Sequence, residues 1–435
     1  MRLKNFYVIA AVALSCFVCL AGGCRSVNRS GGGSTGAETG SDSTDRLTGG
    51  LFAGDIEGLS SSELFSDRDR QADYDSSEAV SILLSDGASE CNSDAVEISG
   101  DTIKIVKAGT YILSGRLSDG QMIIEAEKTD KLQLVLSGAE INCNNCAAIY
   151  IKQADKVFIT VEEGTENTLS NKNDFIAIDD NNIDAVIFSK EDLSFNGGGI
   201  LRINAVDGHG IVSKDDLIFT GGVYEITADG HGISGKDSVR IENGSFSLKT
   251  VKDGIHSENA DDTSLGYVYI ENGSFDIESE GDGIDASSLL HIMGGSFDLK
   301  TGGGSINAAT HTDNMPGWGG KTGFGYENSS GDGTNAISTK GMKADGNIII
   351  NGGDITADCC DDAIHSNSGI LINGGNIDAA SGDDGIHADG NVVIESGTVN
   401  ITKSYEGIEG NTIDINGGTI SVTADDDGFN AAGGN

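Results

Sequence analysis

Apolar and polar residues alternate along most of this chain in short runs, and glycines separate the runs. Alternation with a period of two is typical of β-strands with one buried face. The clearest segment, Ile348–Ala357, reads as two short strands divided by Asn-Gly-Gly. The last glycine of this divider recurs with a period of 22, 22 and 21 residues, and earlier copies hold the same place: Gly353, Gly375, Gly397 and Gly418, preceded by Gly222, Gly244, Gly273 and Gly295.

A unit this small cannot bury its own apolar face, so the copies must stack on one another. The pattern therefore predicts an all-β protein, a right-handed parallel β-helix with about 22 residues per coil of the solenoid. The spacing of leucine-rich repeats and the nine-residue calcium-roll motif are both absent from the sequence. The stretch before residue 205 is less regular, and we interpret it as the start of the same solenoid or as a separate small β-domain.

Four segments are predicted along the chain. They are a signal peptide at 1–23, a flexible Gly/Ser-rich and acidic tether at 24–78, an N-terminal β region with the start of the solenoid at 79–204, and regular coils at 205–435 interrupted by an insertion at 302–340. The last coil stops soon after an acidic turn, and we expect further coils to follow it in the complete protein, since an open end exposes strand edges.

The first segment carries Arg2 and Lys4, then an apolar stretch, and ends in Leu-Ala-Gly-Gly before Cys24. That order is typical of an exported protein, and the last residues resemble a bacterial lipobox. We expect Cys24 to be lipidated and to anchor an extracellular protein to the bacterial membrane. A plain cleaved signal peptide is the alternative.

Charge narrows the range of partners. The chain has 68 acidic and 27 basic residues and a formal net charge of −41. Nucleic acid is an unlikely ligand for such a chain, because its binding depends on lysine and arginine neutralising phosphates. A chain this acidic also repels itself unless counter-ions screen it, and divalent cations are the obvious candidates.

The acids are concentrated in turns that follow the second strand of each repeat. Carboxylates about 4.8 Å apart in neighbouring coils would repel by roughly 3.5 kcal/mol at an effective dielectric constant of 20. Calcium accepts such oxygen ligands, whereas magnesium demands a tighter octahedron. The alternative is that Asp-Gly simply turns the corner. The predicted calcium ligands are Asp253, Asp282, Asp361, Asp362, Asp383, Asp384, Glu406, Asp425, Asp426 and Asp427.

Histidines lie beside these turns. For them we favour stacked rings or hydrogen bonds to the turn over a transition-metal or acid–base role. They are His209, His231, His256, His365 and His387. The five cysteines after Cys24 form no recognisable disulfide or zinc framework, and we interpret them as small buried residues.

The insertion at 302–340 contains the only tryptophan of the chain, Trp318, together with Tyr326 and many glycines. Exposed aromatic rings stack well on sugars, so these two residues are candidate ligand contacts. A surface insertion without a ligand is the alternative.

From about residue 81 onward the chain resembles the calcium-binding, β-helical carbohydrate-binding domains of anaerobic bacteria. The resemblance rests on Ala108–Gly115, Lys131–Gly138, Lys340–Asp345, the Asp-Gly-Gln at 119–121 and the Asp-Gly-Ile-His turns. It implies a β-helix similar to that of pectate lyases, calcium between coils, and binding of cellulose or of a pectic, acid-sugar polymer.

We therefore expect a surface protein that binds polysaccharide through a calcium-stabilised solenoid. A calcium-dependent polysaccharide lyase is one alternative, with Lys252, Lys340 or Lys343 as the base. A hydrolase would need a carboxylate pair that the sequence does not single out. A structural or adhesive surface protein is the remaining alternative.

Overall fold

The computed structural model describes residues 61–308, 338–431 and 433. All of them belong to one compact unit, Thr48–Asn435. The regular secondary structure of the described part is nearly all strand: 35 strands join in one sheet, and the helices are two of four residues each and a short 3-10 helix at Ser305–Asn307. This confirms the all-β class. Within these residues no helix has the length and apolar character needed to cross a membrane.

The elements before the regular coils are α1 (Ser61–Leu64), α2 (Asp67–Arg70), β1 (Val80–Leu84), β2 (Val96–Ser99), β3 (Thr102–Ile105), β4 (Gly109–Leu117), β5 (Gln121–Glu125) and β6 (Lys131–Cys143). The following strands up to the insertion are β7 (Ile149–Gln153), β8 (Lys156–Val161), β9 (Glu166–Asn171), β10 (Ala185–Ser189), β11 (Asp192–Gly197), β12 (Ile200–Ala205), β13 (His209–Ser213), β14 (Asp216–Phe219), β15 (Val223–Ala228), β16 (Ile233–Gly235), β17 (Ser238–Ile241), β18 (Ser245–Thr250), β19 (Ile255–Ser257), β20 (Tyr267–Ile270), β21 (Ser274–Ser279), β22 (Ile284–Ala286), β23 (Leu290–Ile292) and β24 (Ser296–Thr301).

The strands after the insertion are β25 (Met342–Ala344), β26 (Ile348–Ile350), β27 (Asp354–Cys359), β28 (Ile364–Ser366), β29 (Ile370–Ile372), β30 (Asn376–Ser381), β31 (Ile386–Ile394), β32 (Thr398–Lys403), β33 (Ile408–Ile415), β34 (Thr419–Val422) and β35 (Phe429–Ala431).

From β7 to β30 each coil contributes three strands, and each strand pairs with its counterparts in the neighbouring coils; after that, β31 and β33 each span the first two strand positions of a coil. The pairing produces three parallel ladders and a solenoid-like arrangement. The first ladder runs through β10, β13, β16, β19 and β22, the second through β11, β14, β17 and β20, and the third through β12, β15, β18, β21 and β24. Among the described strands only β2 and β3 pair in antiparallel fashion.

Aromatic rings stack inside the third ladder, at the same position of successive coils. Tyr224 lies 5.0 Å from Phe246, Phe246 lies 5.0 Å from Phe275, and Phe275 lies 4.7 Å from Phe297, with ring planes within 16° of parallel. All four side chains are buried. Each repeat therefore contributes one aromatic ring to the core, and the rings of successive coils form a column.

The recurring glycine of the divider lies two residues before each of these rings and has a positive φ, for example 147° at Gly244 and 136° at Gly273. A Cβ at Gly244 would come within 2.8 Å of the Phe246 ring. Positive φ and close approach of the ring both require glycine here, which explains why the residue recurs so strictly.

Residues 61–78, part of the segment predicted as a flexible tether at 24–78, belong to the packed fold and lie against the second ladder, so the described fold begins before residue 79. Leu64 and Phe65 are buried in a cluster with residues of the coils. Asp69 is also buried, and it contacts Lys156 at 2.8 Å and accepts the Ser194 hydroxyl at 2.6 Å. The buried apolar pair and the buried ion pair fix this segment in place.

Two cysteines form a disulfide, Cys143 with Cys146, whose Cα atoms are 5.4 Å apart. The interpretation of the cysteines as unlinked buried residues is therefore wrong for this pair. Cys91, Cys359 and Cys360 are free, and of these Cys359 is buried. The link closes the loop between β6 and β7.

Candidate functional site

The acidic turns precede the first ladder, and strand register defines which residues stack there. In β16, β19 and β22 the isoleucines Ile233, Ile255 and Ile284 are register partners. The residue two positions earlier in each coil forms what we call the turn column. Its members are His209, His231, Asp253, Asp282, Lys340, Asp362, Asp384, Glu406 and Asp427.

Side chains of the turn column accept backbone N–H groups from the next coil. The N–H of Asp282 donates to Oδ1 of Asp253 at 2.8 Å, and the N–H of Lys340 donates to Oδ1 of Asp282 at 2.6 Å. The N–H of Asp384 donates to Oδ1 of Asp362 at 2.8 Å. Each carboxylate therefore satisfies a donor of the following coil, a structural role that turn chemistry within one coil does not predict.

Histidines perform the same task in the earlier coils. The N–H of His231 donates to Nδ1 of His209 at 2.8 Å, and the N–H of Asp253 donates to Nδ1 of His231 at 3.2 Å. The Asp-Gly pairs of these two coils begin at Asp207 and Asp229, two residues before the turn column. Asp229 lies four residues before the stacked isoleucine of its coil, Ile233, whereas Asp253 lies only two residues before Ile255. The Asp-Gly motif therefore changes its position relative to the first ladder between these two coils.

A second set of side chains lies on the outer face of the first ladder, one residue after the stacked isoleucines. We call it the outer column, and its members are Val212, Ser234, His256, Asp285, Lys343, His365, His387, Glu409 and Asn430. The two columns are near enough for their charged groups to pair. Sequence reasoning missed Asp285 and Glu409, because no Asp-Gly motif marks them.

His256 is held between two carboxylates. Its Nδ1 lies 3.1 Å from Oδ2 of Asp253 and 3.2 Å from Oδ2 of Asp285. Burial opposes the positive charge of His256, but these contacts outweigh it and raise its pKa to about 10. For Asp282, burial and the charges of Asp253 and Asp285 raise the carboxyl pKa to about 6.

Two lysines neutralise the middle of the columns. Lys343 lies 3.1 Å from Asp285 and 3.7 Å from Asp282, and Lys340 lies 2.5 Å from Asp361 and 3.9 Å from Asp362. Burial opposes both charges, yet the carboxylates outweigh it and raise both lysine pKa values above the usual range. The two lysines therefore already offset part of the repulsion between carboxylates on which the calcium prediction was based.

The remaining predicted calcium ligands fall into two groups. Carboxylate oxygens of Asp361, Asp362 and Asp383 lie within 4.8 Å of one another, and those of Asp384 and Glu409 lie equally close to a nitrogen of His387. The acids at 425–427 are exposed beside the coil that contains Glu406. The predicted positions Cys24, Trp318 and Tyr326 lie outside the described residues.

A groove of about 350 Å³ opens on the outer face of β13, β16 and β19. Its lining includes the histidines His209, His231 and His256 and the lysines Lys214, Lys236 and Lys252. The three imidazole rings stack, with centroids 4.8 Å and 4.3 Å apart and planes within 13° of parallel. The stacking predicted for the histidines is therefore present for these three, which line the concave surface, whereas His365 and His387 meet edge to face at 69°.

The groove is cationic although the chain is acidic. In the part of the chain that the structure describes, Lys214 and Lys252 have no ion-pair partner, whereas Lys236 lies 2.8 Å from Asp261. Glu258 lies 3.6 Å from Nε2 of His256. Glu258 and Asp261 are the only acids among the lining residues, against three lysines.

Comparison with known proteins places the chain in a family. A protein of Acetivibrio thermocellus described as a carbohydrate-binding domain-containing protein is 35% identical over 149 residues, which are 34% of this chain and 52% of that protein. The chain thus spans about half the length of this curated relative.

A solved structure, described as a polysaccharide lyase-like protein from C. thermocellum in a gadolinium derivative, is similar with a TM-score of 0.50 and 33% identity. The match covers 52% of this chain and 92% of that one. The profile of the family described as carbohydrate-binding domain-containing proteins matches residues 99–385, well over half of the chain and including both columns as far as residue 385. The chain belongs to this family of carbohydrate-binding domain-containing proteins.

Proposed function

We propose that this protein binds an acidic, uronate-containing polysaccharide in the groove across β13, β16 and β19. The observation that carries the proposal is the convergence of Lys214, Lys236 and Lys252 on one concave surface of a chain whose net charge is −41. The family and its polysaccharide lyase-like relative support a polysaccharide as the ligand.

The charge distribution favours acidic over neutral sugars. A polyanion approaching this chain is repelled by most of its surface, so a cationic groove is the place where a carboxylated sugar gains attraction. Lys214 and Lys252 have no ion pair to break among the described residues before they contact a ligand. The positive charge of the groove can therefore attract an acidic polymer to this acidic protein directly, without a bridging cation.

Binding of polygalacturonate and of a neutral glucan, measured by affinity electrophoresis with EDTA present, tests this proposal. We expect retardation by polygalacturonate that weakens as salt rises, and loss of most of it in a Lys214→Glu/Lys252→Glu double variant. Lys300→Glu is the matched control, because Lys300 is exposed on the outer face of the third ladder. Equal retardation of the double variant and the wild type would refute the groove as the binding surface.

The lyase alternative requires a free base, and the two columns offer poor ones. Lys340 and Lys343 are ion-paired, and their raised pKa values keep them protonated at neutral pH. A general base needs a pKa near the working pH. Lys252 in the groove is the remaining candidate, and absorbance of the unsaturated product during incubation with polygalacturonate would reveal lyase activity.

Calcium is proposed as a structural ligand at Asp361, Asp362 and Asp383, the cluster whose ligand atoms are all oxygens. Oxygen ligands are what calcium prefers. The ammonium of Lys340 lies against the same carboxylates and competes for them. Thermal unfolding in EDTA, millimolar calcium and millimolar magnesium is the test, and a shift specific to calcium would support the proposal.

We also propose that the solenoid-like arrangement is a right-handed parallel β-helix. Parallel strands joined by crossover connections are right-handed in about 98% of known cases, and the ladders from β10 onward are built entirely from parallel pairs. An experimental structure with left-handed connections would overturn this.

The N-terminal lipid anchor at Cys24 and the resulting extracellular location remain proposals from the sequence. Metabolic labelling with a radioactive fatty acid, compared between the wild type and Cys24→Ala, tests them directly. Label retained by the variant would refute anchoring at this cysteine.

A further inference from the structure

The turn and outer columns bring two imidazoles onto a single carboxylate oxygen. Oδ2 of Asp253 lies 3.0 Å from Nδ1 of His231 and 3.1 Å from Nδ1 of His256. We propose that His231, Asp253 and His256 form a binding site for a divalent transition-metal cation of the zinc class. The site goes beyond polysaccharide binding and does not depend on it.

The distances from Oδ2 of Asp253 to the two imidazole nitrogens suit a small tetrahedral cation, and all three atoms lie within 4.8 Å of one another. Zinc holds nitrogen and oxygen ligands at about 2.0–2.2 Å, so tetrahedral ligands lie roughly 3.3 Å from each other. The two distances to Oδ2 are within about 0.3 Å of that separation. Oδ2 of Asp285 lies 3.2 Å from Nδ1 of His256 but is not part of the group of three, so water would complete the shell.

The carboxylate is pre-oriented for this task. Its other oxygen, Oδ1, accepts the backbone N–H of Asp282, so the side chain of Asp253 cannot rotate Oδ2 away without losing that bond. Metal ligands held by a hydrogen bond from the surrounding chain are the usual arrangement. His231 in turn would exchange its long 3.2 Å bond from the N–H of Asp253 for the metal.

One polar atom in the cluster has no hydrogen-bond partner. Nδ1 of His256 is buried, and although it lies near two carboxylates it has no hydrogen bond of acceptable geometry within the described chain. Buried polar atoms are rarely left in this way, and an ion is one of the few reasons for it. A cation shared by the three side chains would satisfy this nitrogen.

The ligand set distinguishes this site from the calcium proposal. Calcium takes six to eight oxygen ligands, whereas imidazole nitrogen suits zinc, copper, iron and nickel. The sequence predicted calcium at Asp253 because the histidine partners were not known to face it. Its neighbours His231 and His256 change the class of cation expected there.

A related motif further along the chain lacks the shared oxygen. Asp362 and His365 repeat the spacing of Asp253 and His256, but Oδ2 of Asp362 lies 2.7 Å from His365 and 3.9 Å from Nδ1 of His387. His387 is instead 3.0 Å from Asp384. We therefore expect the tightest transition-metal site at Asp253.

Titration of the EDTA-treated, full-length protein with Co²⁺ tests the proposal, because tetrahedral Co²⁺ gives strong visible absorption that Zn²⁺ abolishes on displacement. We expect one tight equivalent in the wild type. His256→Asn and Asp253→Asn should each weaken that site at least tenfold, and the asparagine at 253 keeps an oxygen for the N–H of Asp282. Circular dichroism verifies that each variant is folded.

His209→Asn is the matched control, since His209 belongs to the same ring stack but is not one of the three ligands, and the asparagine keeps an acceptor for the N–H of His231. It should bind Co²⁺ as the wild type does. Absence of tight binding in the wild type, unchanged binding in folded His256→Asn, or an equal loss in His209→Asn would each overturn the site. Polygalacturonate binding measured in EDTA is a separate readout, so failure of one proposal leaves the other standing.

Discussion

Asp253 and Asp282 are 29 residues apart in the chain, and Oδ1 of Asp253 accepts the backbone N–H of Asp282 at 2.8 Å. The same bond recurs between other neighbouring coils, so the acidic turns join one coil to the next. A buried N–H without an acceptor would be costly, which provides a structural reason for an acceptor side chain, an acid or a histidine, at these positions. Binding of cations then uses the second oxygen of the carboxylate.

Substitutions at Asp282 separate the roles of its acceptor and its charge. Asp282→Asn keeps an oxygen for the N–H of Lys340 and removes a charge that burial and the neighbouring carboxylates disfavour, as the carboxyl pKa raised to about 6 indicates, so it should not lower the free energy of unfolding at pH 7 and should raise it slightly. Asp282→Ala removes the acceptor and should cost about 1–3 kcal/mol. Urea unfolding measures both, and equal losses would show that charge, not the acceptor, is what matters.

The stacked rings of the third ladder should dominate core stability. Phe275 contacts rings on both sides, and Phe275→Ala should destabilise the protein by about 3–5 kcal/mol. Phe429→Ala is the control, because Phe429 is 50% exposed in the last strand. Urea denaturation should show a large loss for the first variant and a small one for the second, and similar losses would contradict the ring column as the core.

Asp69 should anchor the N-terminal segment in a pH-dependent manner. Burial opposes its charge, but Lys156, Ser194 and Ser66 outweigh burial and lower its pKa to about 2. A carboxyl whose pKa is lower in the folded state stabilises the fold above the unfolded pKa, and the stabilisation is lost as pH falls.

Asp69→Asn should therefore cost about 2 kcal/mol at pH 7, and the difference from the wild type should shrink as pH falls from about 4 to about 2. Asp67→Asn, in the same helix but fully exposed, should have little effect. Unfolding measured across this pH range is the test, and a difference that grows on acidification would contradict the assigned cause.

The ammonium group of Lys340 should neutralise the carboxylates of Asp361 and Asp362 in place of a bound metal cation. Lys340→Gln leaves Asp361 and Asp362 without their ammonium, which we expect to destabilise the protein by roughly 3–5 kcal/mol in EDTA. Millimolar calcium should then raise the Tm of the variant more than that of the wild type. Lys249→Gln, which removes an exposed partner of Glu278, is the control. Equal calcium shifts in the Lys340 variant and the wild type would argue against calcium at this cluster.

The repeat can be recognised in the sequence because every coil must bury apolar residues at the same positions. Alternation of apolar residues predicts strands, a period of about 22 residues predicts stacking, and the recurrent glycine marks the positive φ beside each ring, as at Gly244 and Phe246. The packing of the N-terminal segment could not be predicted from the sequence, because only Leu64 and Phe65 provide its apolar contact. A pattern of two apolar residues does not distinguish a packed segment from a tether.

The sequence by itself determined the strand class, the repeat and the concentration of acids in the turns, since these follow from local periodicity. Only the tertiary structure decided which side chains meet. His231 rather than Asp229 stacks on Asp253, and Lys340, separated from Asp282 by the insertion, takes the next place in the turn column. Irregular spacing between coils shifts the motifs relative to the ladders, and the hydrogen-bonded register alone fixes the partners of each charge.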